Sequence, residues 1–482
     1  MHKRFVFNII ARILMIVCLI MIIPLGWAIY DDPHSREVEA FAETICLGFF
    51  LSAIAIYSFR INKKVKVSAK DGLAIVGLSW VFLSLLGALP LYFSGVVPHF
   101  TDAFFEIVSG FTTTGATIFP DVEALPRGIL FWRSLTHWLG GMGIIVLYVA
   151  LLPALGVSGF QLYKAEAPGL NIERSDPRVK ETAKNLWTIY FSLSFILAAL
   201  FLLGGMDLFE ALCHTFATMS TGGFSTRNAS MGAFSPFIQW VTIVFMFLAG
   251  VNFALHFQAL KGKPSKYFKN EEFIVYLITT VLLIGVFSFI LNATHFSEAP
   301  FRESAFQVVA ILTTTGFTTA DFDMWPNTLR FLLLLMMVVG GCGGSTAGGM
   351  KIIRMLLSVK ISFRSVFQAA LPNAVMPIRI SDRAIGEKIV STVLTYFAIF
   401  MFLFFIGAIL FLAFEGCSLE TATSASISAL SNIGPGLDGI GATKNFAWVS
   451  TPGKWLLIFL MLAGRLELYS FLMLFIFSSW KR

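Results

Sequence analysis

Three stretches of this chain, residues 72–97, 185–206 and 389–414, each run for more than twenty residues without a charged side chain. About 20 apolar residues in helical form cross the ~30 Å hydrocarbon layer of a bilayer. Hydrocarbon offers no partner to an open backbone, so such a stretch must be helical. Weaker runs of the same kind bring the expectation to ten spans: about 13–30, 40–59, 72–97, 128–155, 185–206, 236–260, 273–291, 328–350, 389–414 and 455–480. The composition agrees, with 57% hydrophobic residues, 13% charged and a mean hydropathy of +0.79. Soluble domains carry roughly 25% charge, so the set of soluble domains that the length alone permits is excluded.

The net charge of +7 reflects topology rather than nucleic-acid binding. Of the 35 basic residues, 26 fall in six segments: 3–12, 60–70, 164–184, 261–269, 351–388 and 481–482. With ten spans all six lie on one side, the positive-inside arrangement, which puts both termini in the cytoplasm. The first apolar run follows Lys3, Arg4 and Arg12, as a signal peptide would. It has no small-residue cleavage site and ends in Tyr30-Asp31-Asp32, so it reads as a retained helix. Cys18, Cys46, Cys213, Cys342 and Cys417 form no CxxC pair and read as small packing residues.

One pattern occurs four times: a long apolar span, a short half-polar segment, a Gly-centred polar turn, then another long span. The turns are Thr113-Thr114-Gly115-Ala116-Thr117, Ser220-Thr221-Gly222-Gly223-Phe224, Thr314-Thr315-Gly316-Phe317-Thr318 and Asn432-Ile433-Gly434-Pro435-Gly436. Taking Gly115, Gly222, Gly316 and Gly434 as equivalent, the spacings are 107, 94 and 118 residues. The first and third copies align without a gap, DAFFEIVSGFTTTG (102–115) against ESAFQVVAILTTTG (303–316). The segments before the turns, 101–112, 207–219, 301–313 and 419–431, are too short to span and suit re-entrant half-helices. Asp102, Asp207, Glu303 and Glu420 sit in their first turns, where acids serve as ordinary caps. The negative ends of the four half-helices then point at the turns. The division follows: 1–70 two extra N-terminal helices, 71–160, 161–262, 263–365 and 366–482 four fused pore repeats, the third containing a glycine loop at 340–349.

Irregular backbone inside a membrane is tolerated only when buried in protein or lining water. A single Thr-Thr-Gly is an ordinary helix-breaking loop; four at matched positions ask for a shared aqueous axis. Carbonyls there replace the hydration shell of a cation, with hydroxyls as added ligands. The expected filter comprises Thr113, Thr114, Gly115 and Ala116; Ser220, Thr221, Gly222 and Gly223; Thr314, Thr315, Gly316 and Phe317; and Asn432, Ile433, Gly434 and Pro435. No ring of carboxylates occurs in the turns, which favours a large, easily dehydrated monovalent ion.

These Thr-x-Gly turns between paired spans resemble the superfamily of Trk, Ktr and HKT potassium transporters. The likeness runs over about 70–480, and the two extra N-terminal spans resemble the TrkH branch. Residues 342–351, Cys-Gly-Gly-Ser-Thr-Ala-Gly-Gly-Met-Lys, and 431–436, Ser-Asn-Ile-Gly-Pro-Gly, match that branch closely. The resemblance implies an all-α polytopic membrane protein of four fused M1–P–M2 units around one pore, working as a homodimer in the lipid of a bacterial inner membrane. It implies a cytosolic, nucleotide-binding regulator of the TrkA type, with potassium as the transported ion and no organic cofactor. In the plant branch a Ser in the first repeat accompanies sodium transport, so Gly115 favours potassium.

Two further features bear on gating. Gly340, Gly341, Gly343, Gly344, Gly348 and Gly349, with Ser345 and Thr346 among them, make a poor helix, since each glycine costs up to ~1 kcal/mol relative to Ala. Small residues also serve close helix packing, but this density favours a flexible intramembrane loop, which in the resembled family gates the pore beneath the filter. Arg465 falls near the middle of the last span, with Glu467 two residues on. A charge at that depth faces a bundle interior or water, as a scaffold group or beside the conduction path. The family has an Arg at the matching place. His137, His214 and His256 lack a partnered cluster and read as structural. No Walker loop, Rossmann fingerprint or HExxH occurs, and Arg465–Glu467 supplies no nucleophile–base pair, which disfavours an intramembrane enzyme. A sodium-coupled or sodium-permeable transporter of the same superfamily remains the alternative to potassium uptake.

Overall fold

The computed structural model describes residues 2–60, 69–151, 176–374, 376–381 and 383–475. The boundary expected at 160/161, most of the basic segments 60–70 and 164–184, the ends of the spans 128–155 and 455–480, and the basic pair 481–482 lie outside the described residues.

The chain opens with α1 (Lys3–Ile20) and α2 (Ile22–Asp31), which together form one span, and α3 (Arg36–Ser58). α4 (Ala69–Phe93), the short α5 (Phe100–Phe111) and α6 (Arg127–Leu151) follow, then α7 (Asp176–Leu203) and the short α8 (Leu208–Met219). Next come α9 (Pro236–Ala249), α10 (Phe253–Leu260), α11 (Glu271–Thr294), the short α12 (Pro300–Leu312), α13 (Asn327–Val339) and α14 (Ile352–Ala370). Arg379–Ile380 and Arg383–Ala384 pair as a minimal antiparallel hairpin, a small departure from an all-helical chain. α15 (Glu387–Glu415), the short α16 (Leu419–Ser431), α17 (Thr451–Arg465) and α18 (Tyr469–Leu472) complete the described chain.

Among the described residues, six helical segments are long and apolar enough to cross a bilayer, or eight if each of two bent pairs counts as a span. Two of the ten expected spans are bent rather than continuous, and a third ends where the glycine loop is expected. The run 236–260 is two helices bent by 99°. α9 ends at Gly250, where a side chain would meet the Tyr276 hydroxyl, and Asn252 caps α10 by accepting the N–H of Ala254 at 2.9 Å. The run 455–480 bends by 116° after Arg465, through Glu467 and Leu468, both with positive φ. The run 328–350 is helical only to Val339, because Gly340 takes φ +78°. Apolar composition reports the medium around a segment, whereas these breaks are set by backbone torsion and by hydrogen bonds to other segments.

The four short helices lie within about a residue of their expected positions. Their N-termini are capped as acids and hydroxyls allow: Asp207 accepts the N–H of Glu210 at 2.6 Å, and Ser418 that of Thr421 at 3.1 Å. Asp102 instead pairs with Lys454 at 2.7 Å and Glu420 with Arg330 at 2.6 Å. Three short helices pack against a helix from the stretch before them, α8 on α6, α12 on α9 and α16 on α13, and the first, α5, packs on α17. The last contact joins the beginning of this series to its end, so the four short helices form a closed ring. Buried aromatics fill the space behind them, with the Trp132 indole N–H donating to Gly87 O at 2.9 Å.

Candidate functional site

All four short helices end in the same way. Thr114, Gly222, Thr315 and Ile433 each donate their N–H five residues back, to the carbonyls of Ser109, Ala217, Ala310 and Ser428, at 2.8–2.9 Å. The residues before them, Thr113, Thr221, Thr314 and Asn432, have φ between 52° and 57°. This left-handed C-terminus turns the chain out of the helix and consumes its last carbonyls.

Gly115, Gly223, Gly316 and Gly434 follow, at φ +81°, +85°, +77° and +104°. A Cβ on Gly115 would fall within 3.0 Å of Gly222 O, on Gly223 of Thr315 O, on Gly316 of Ile433 O, and on Gly434 of Thr114 O. Each glycine thus stands against a carbonyl of the next turn, and the fourth returns to the first. Gly115, Gly223, Gly316 and Gly434 also all line one cavity of about 140 Å³, with Ala116, Thr117, Phe224, Thr318 and Pro435 on its wall.

The ring corrects one register. The glycine equivalent to Gly115 is Gly223, not Gly222, and the spacings become 108 and 93 residues for the first two intervals. Gly222 lacks a side chain for a different reason: a Cβ there would run into the His137 ring. His137 accepts the Phe224 N–H at 3.3 Å through Nε2 and donates from Nδ1 to Gly110 O at 2.9 Å, which ties the first turn to the second. His214 and His256 are likewise hydrogen-bonded inside the fold, to Ser225 and Tyr267.

The hydroxyls and amide of the turns interlock. Thr112 and Thr114 share a hydrogen bond at 2.7 Å, Thr313 and Thr315 one at 2.8 Å. Asn432 Nδ2 donates to Thr114 Oγ1 at 3.0 Å and to Met461 O at 2.9 Å. The Ser220 hydroxyl donates to Phe216 O in α8, and that of Thr221 to Ser220 O. Thr113 Oγ1 and Asn432 Oδ1 are buried without a hydrogen-bond partner among the described residues, and both are competent cation ligands.

The glycine loop lies against these turns. The Gly348 N–H donates to Thr314 Oγ1 at 2.6 Å, and the Gly349 N–H to Ser431 O at 3.0 Å. Thr346 Oγ1 donates to Met219 O at 3.1 Å and Ala249 O at 3.2 Å. On the far side the Cys342 N–H reaches Gly250 O, the Gly343 N–H reaches Glu272, and the Ser345 hydroxyl reaches Cys342 O. Gly340, Gly344 and Gly349 have φ of +78°, +72° and +72°, and Gly341 packs on Ala347. Arg465, 2% exposed, donates from Nη1 to Thr346 O at 2.8 Å and from Nη2 to Gly140 O at 3.2 Å. Glu467 points elsewhere and pairs with Arg354, whose guanidinium lies 4.2 Å from the Tyr396 ring centroid.

Sequence inspection missed the pair Glu106–Arg133. It is buried behind the first turn, with Arg133 Nε donating to Glu106 Oε1 at 2.7 Å. The available signal was the Glu of the gap-free alignment, which faces Gln in the third copy. Beyond the fourth turn Asp438 is held below the usual carboxylate range by hydrogen bonds from Ser418 and Thr421. Its neighbour Asp323, which accepts the Asp438 N–H at 3.0 Å, is pushed up by burial.

A many-spanned helical protein with four backbone turns ringed around one cavity is a membrane protein built to handle small ions. Comparison with known proteins gives the same class. A family model described as TrkH, cation transport protein, matches residues 37–481. The Trk system potassium uptake protein TrkH of Escherichia coli K12 is 40% identical over 490 residues, covering all of both chains. TrkG of the same organism is 32% identical over 489 residues, covering all of this chain and 99% of that one. The crystal structure of the potassium transporter TrkH from Vibrio parahaemolyticus superposes with a TM-score of 0.90 at 37% identity, covering both chains completely. This chain belongs to the TrkH family of cation transport proteins, a family of transporters and not of enzymes.

Proposed function

We propose that this protein takes up potassium across a bacterial inner membrane through one pore. Four fused M1–P–M2 units surround that pore, and the short helices are its re-entrant pore helices. The carrying observation is the closed ring in which Gly115, Gly223, Gly316 and Gly434 each abut a carbonyl of the next turn. Backbone oxygens packed in this way replace the hydration shell of a monovalent cation. Thr114, Gly222, Thr315 and Ile433 supply the ring, with Thr113 and Asn432 side chains beneath it. The curated relatives are named as potassium uptake proteins, which supports potassium as the cargo.

The loop 340–349 serves as the gate, since it hydrogen-bonds to the underside of the turns, and Arg465 holds it there. The working unit is a homodimer in membrane lipid, with both termini cytoplasmic and a TrkA-type nucleotide-binding regulator on that face. Exposed Arg379 on the hairpin supports a docking surface there, with Arg364 on α14 beside it, part-buried and paired with Glu387.

Expression in a bacterium lacking its potassium-uptake systems tests the function. Growth at low external potassium is expected to return, with rubidium uptake to match. Growth at low potassium that returns only when sodium is added points to the sodium-coupled alternative, and sodium influx without rubidium influx to the sodium-permeable one. Co-purification tests the regulator: a TrkA-type protein from native membranes is expected to elute with this chain and to be lost on Arg364→Glu/Arg379→Glu. Binding that survives both reversals moves the interface off the hairpin region.

A further inference from the structure

The residue nine positions before the ring glycine differs in each turn: Glu106, His214, Gln307 and Ala425. Three of these four side chains reach behind their own turn to the strand that leaves the glycine. Glu106 Oε1 accepts from the Thr117 hydroxyl at 3.0 Å, and Oε2 accepts the Ile118 N–H at 2.9 Å. His214 Nε2 meets Ser225 Oγ at 3.0 Å. Gln307 Nε2 donates to Phe317 O at 3.3 Å. Ala425 has nothing to offer, and Ser424 beside it bonds to Leu437 N–H at 2.9 Å.

The first member is built more heavily than the rest. Arg133 closes it from α6, donating to Glu106 Oε1 and from Nη2 to Thr117 Oγ1 at 3.1 Å. The same guanidinium lies 4.2 Å from the ring centroid of Phe224, which directly follows Gly223. Arg133 is 1% exposed and forms part of the cavity wall. Two strands thus lean on one buried ion pair.

We infer that Glu106 and Arg133 are specificity-determining positioning residues: a charged strut that holds the first two strands of the ion filter at their carbonyl spacing, in a series that weakens through His214 and Gln307 to Ala425. The inference rests on the filter reading above. Charge-assisted hydrogen bonds are about twice as strong as neutral ones, so of the struts at this position the first is the firmest, while the fourth turn relies on neutral bonds of Ser424 and Ser428 instead. A carbonyl filter separates ions by how closely its oxygens keep their spacing or field, and loss of the strut lets the first strand relax toward a smaller ion. Removal of one partner of a buried pair also strands the other charge, here a guanidinium beside a cation path.

The experiment is rubidium influx into proteoliposomes with sodium as competitor, scored per folded molecule after size-exclusion chromatography and thermal melting. Glu106→Gln is expected to lower potassium-over-sodium discrimination about tenfold and to raise the KM for rubidium. Gln307→Leu, which removes only a neutral strut, is expected to lower discrimination about twofold. It stands as the deciding variant if Glu106→Gln does not fold. Asp102→Asn breaks the Asp102–Lys454 pair on the same short helix and is expected to lower the melting temperature with discrimination unchanged. Unaltered discrimination in folded Glu106→Gln and Gln307→Leu overturns the strut, as does an equal loss in Asp102→Asn. Gly316→Ser measured alongside separates the two readings. If it alters discrimination while the strut variants do not, the filter stands without the strut; if none of them alters it, the filter reading fails first.

Discussion

Gly316→Ser is expected to remove at least about nine-tenths of the discrimination between potassium and sodium, a change of ~1.4 kcal/mol or more in relative ion free energy. Two costs coincide at this position. The backbone holds φ +77°, where an L-residue costs roughly 1–2 kcal/mol. A Cβ there would also lie against Ile433 O and the Pro435 ring. The nearest obstacle is backbone, so no rotamer change relieves it, and the carbonyl of the neighbouring turn must retreat. That carbonyl belongs to the ring, so its retreat passes directly to the ion. Gly115→Ser, set against Gly222 O, is expected to act in the same direction. Reversal potentials in planar bilayers or sodium competition in liposome flux measure the effect, with melting temperature recorded for each variant. Two folded variants with wild-type discrimination are incompatible with a filter at these glycines.

The second large effect is expected from Arg465→Ala: rubidium flux per folded molecule, without any regulator, rises by roughly tenfold or more. The Arg465 guanidinium spans two pieces of chain that are otherwise unconnected at this point, Thr346 O in the glycine loop and Gly140 O in α6. Hydrogen bonds from a charged donor contribute roughly 1.5–3 kcal/mol each. Loss of the one to Thr346 shifts the loop toward release by about that amount. On the proposed gating role the substitution also removes a positive charge from beneath the filter. Two buried carbonyls lose their donor, so the melting temperature falls as well, and flux must be normalised to folded protein. Arg465→Lys keeps the charge with a single donor head and is expected to lie between the two. A lower melting temperature with unchanged flux per folded molecule makes Arg465 a scaffold residue.

The short helices and their turns were legible because they interrupt an apolar pattern in a regular way. Asp207, Glu210 and a Gly-Gly turn signal a capped helix of about three turns whatever surrounds it. The span count was less legible. Gly250 and Leu468 break runs that remain apolar on either side, and an apolar run does not register a bend, whereas the break at Gly340 was announced by its run of glycines. The register of the second turn misled for a related reason. In Thr221-Gly222-Gly223 either glycine fits the pattern, and the choice rests on which takes a positive φ and which meets the His137 ring. His137 is some 85 residues away in the chain, so no local reading reaches it.

The sequence by itself determined the medium, the helical content and the four polar turns with their chemistry. These depend on composition and on spacing over a dozen residues, where hydrophobic burial and backbone hydrogen bonding act locally. Tertiary structure alone decided how the turns meet. The contact of Gly434 with Thr114 O, the Arg465 bridge from Thr346 to Gly140, the Glu106–Arg133 strut and the turning of Glu467 toward Arg354 all join residues that are distant in the chain. The first exists because four short helices close into a ring, and the others because helices distant in the chain pack side by side, consequences of packing geometry that residue order does not carry.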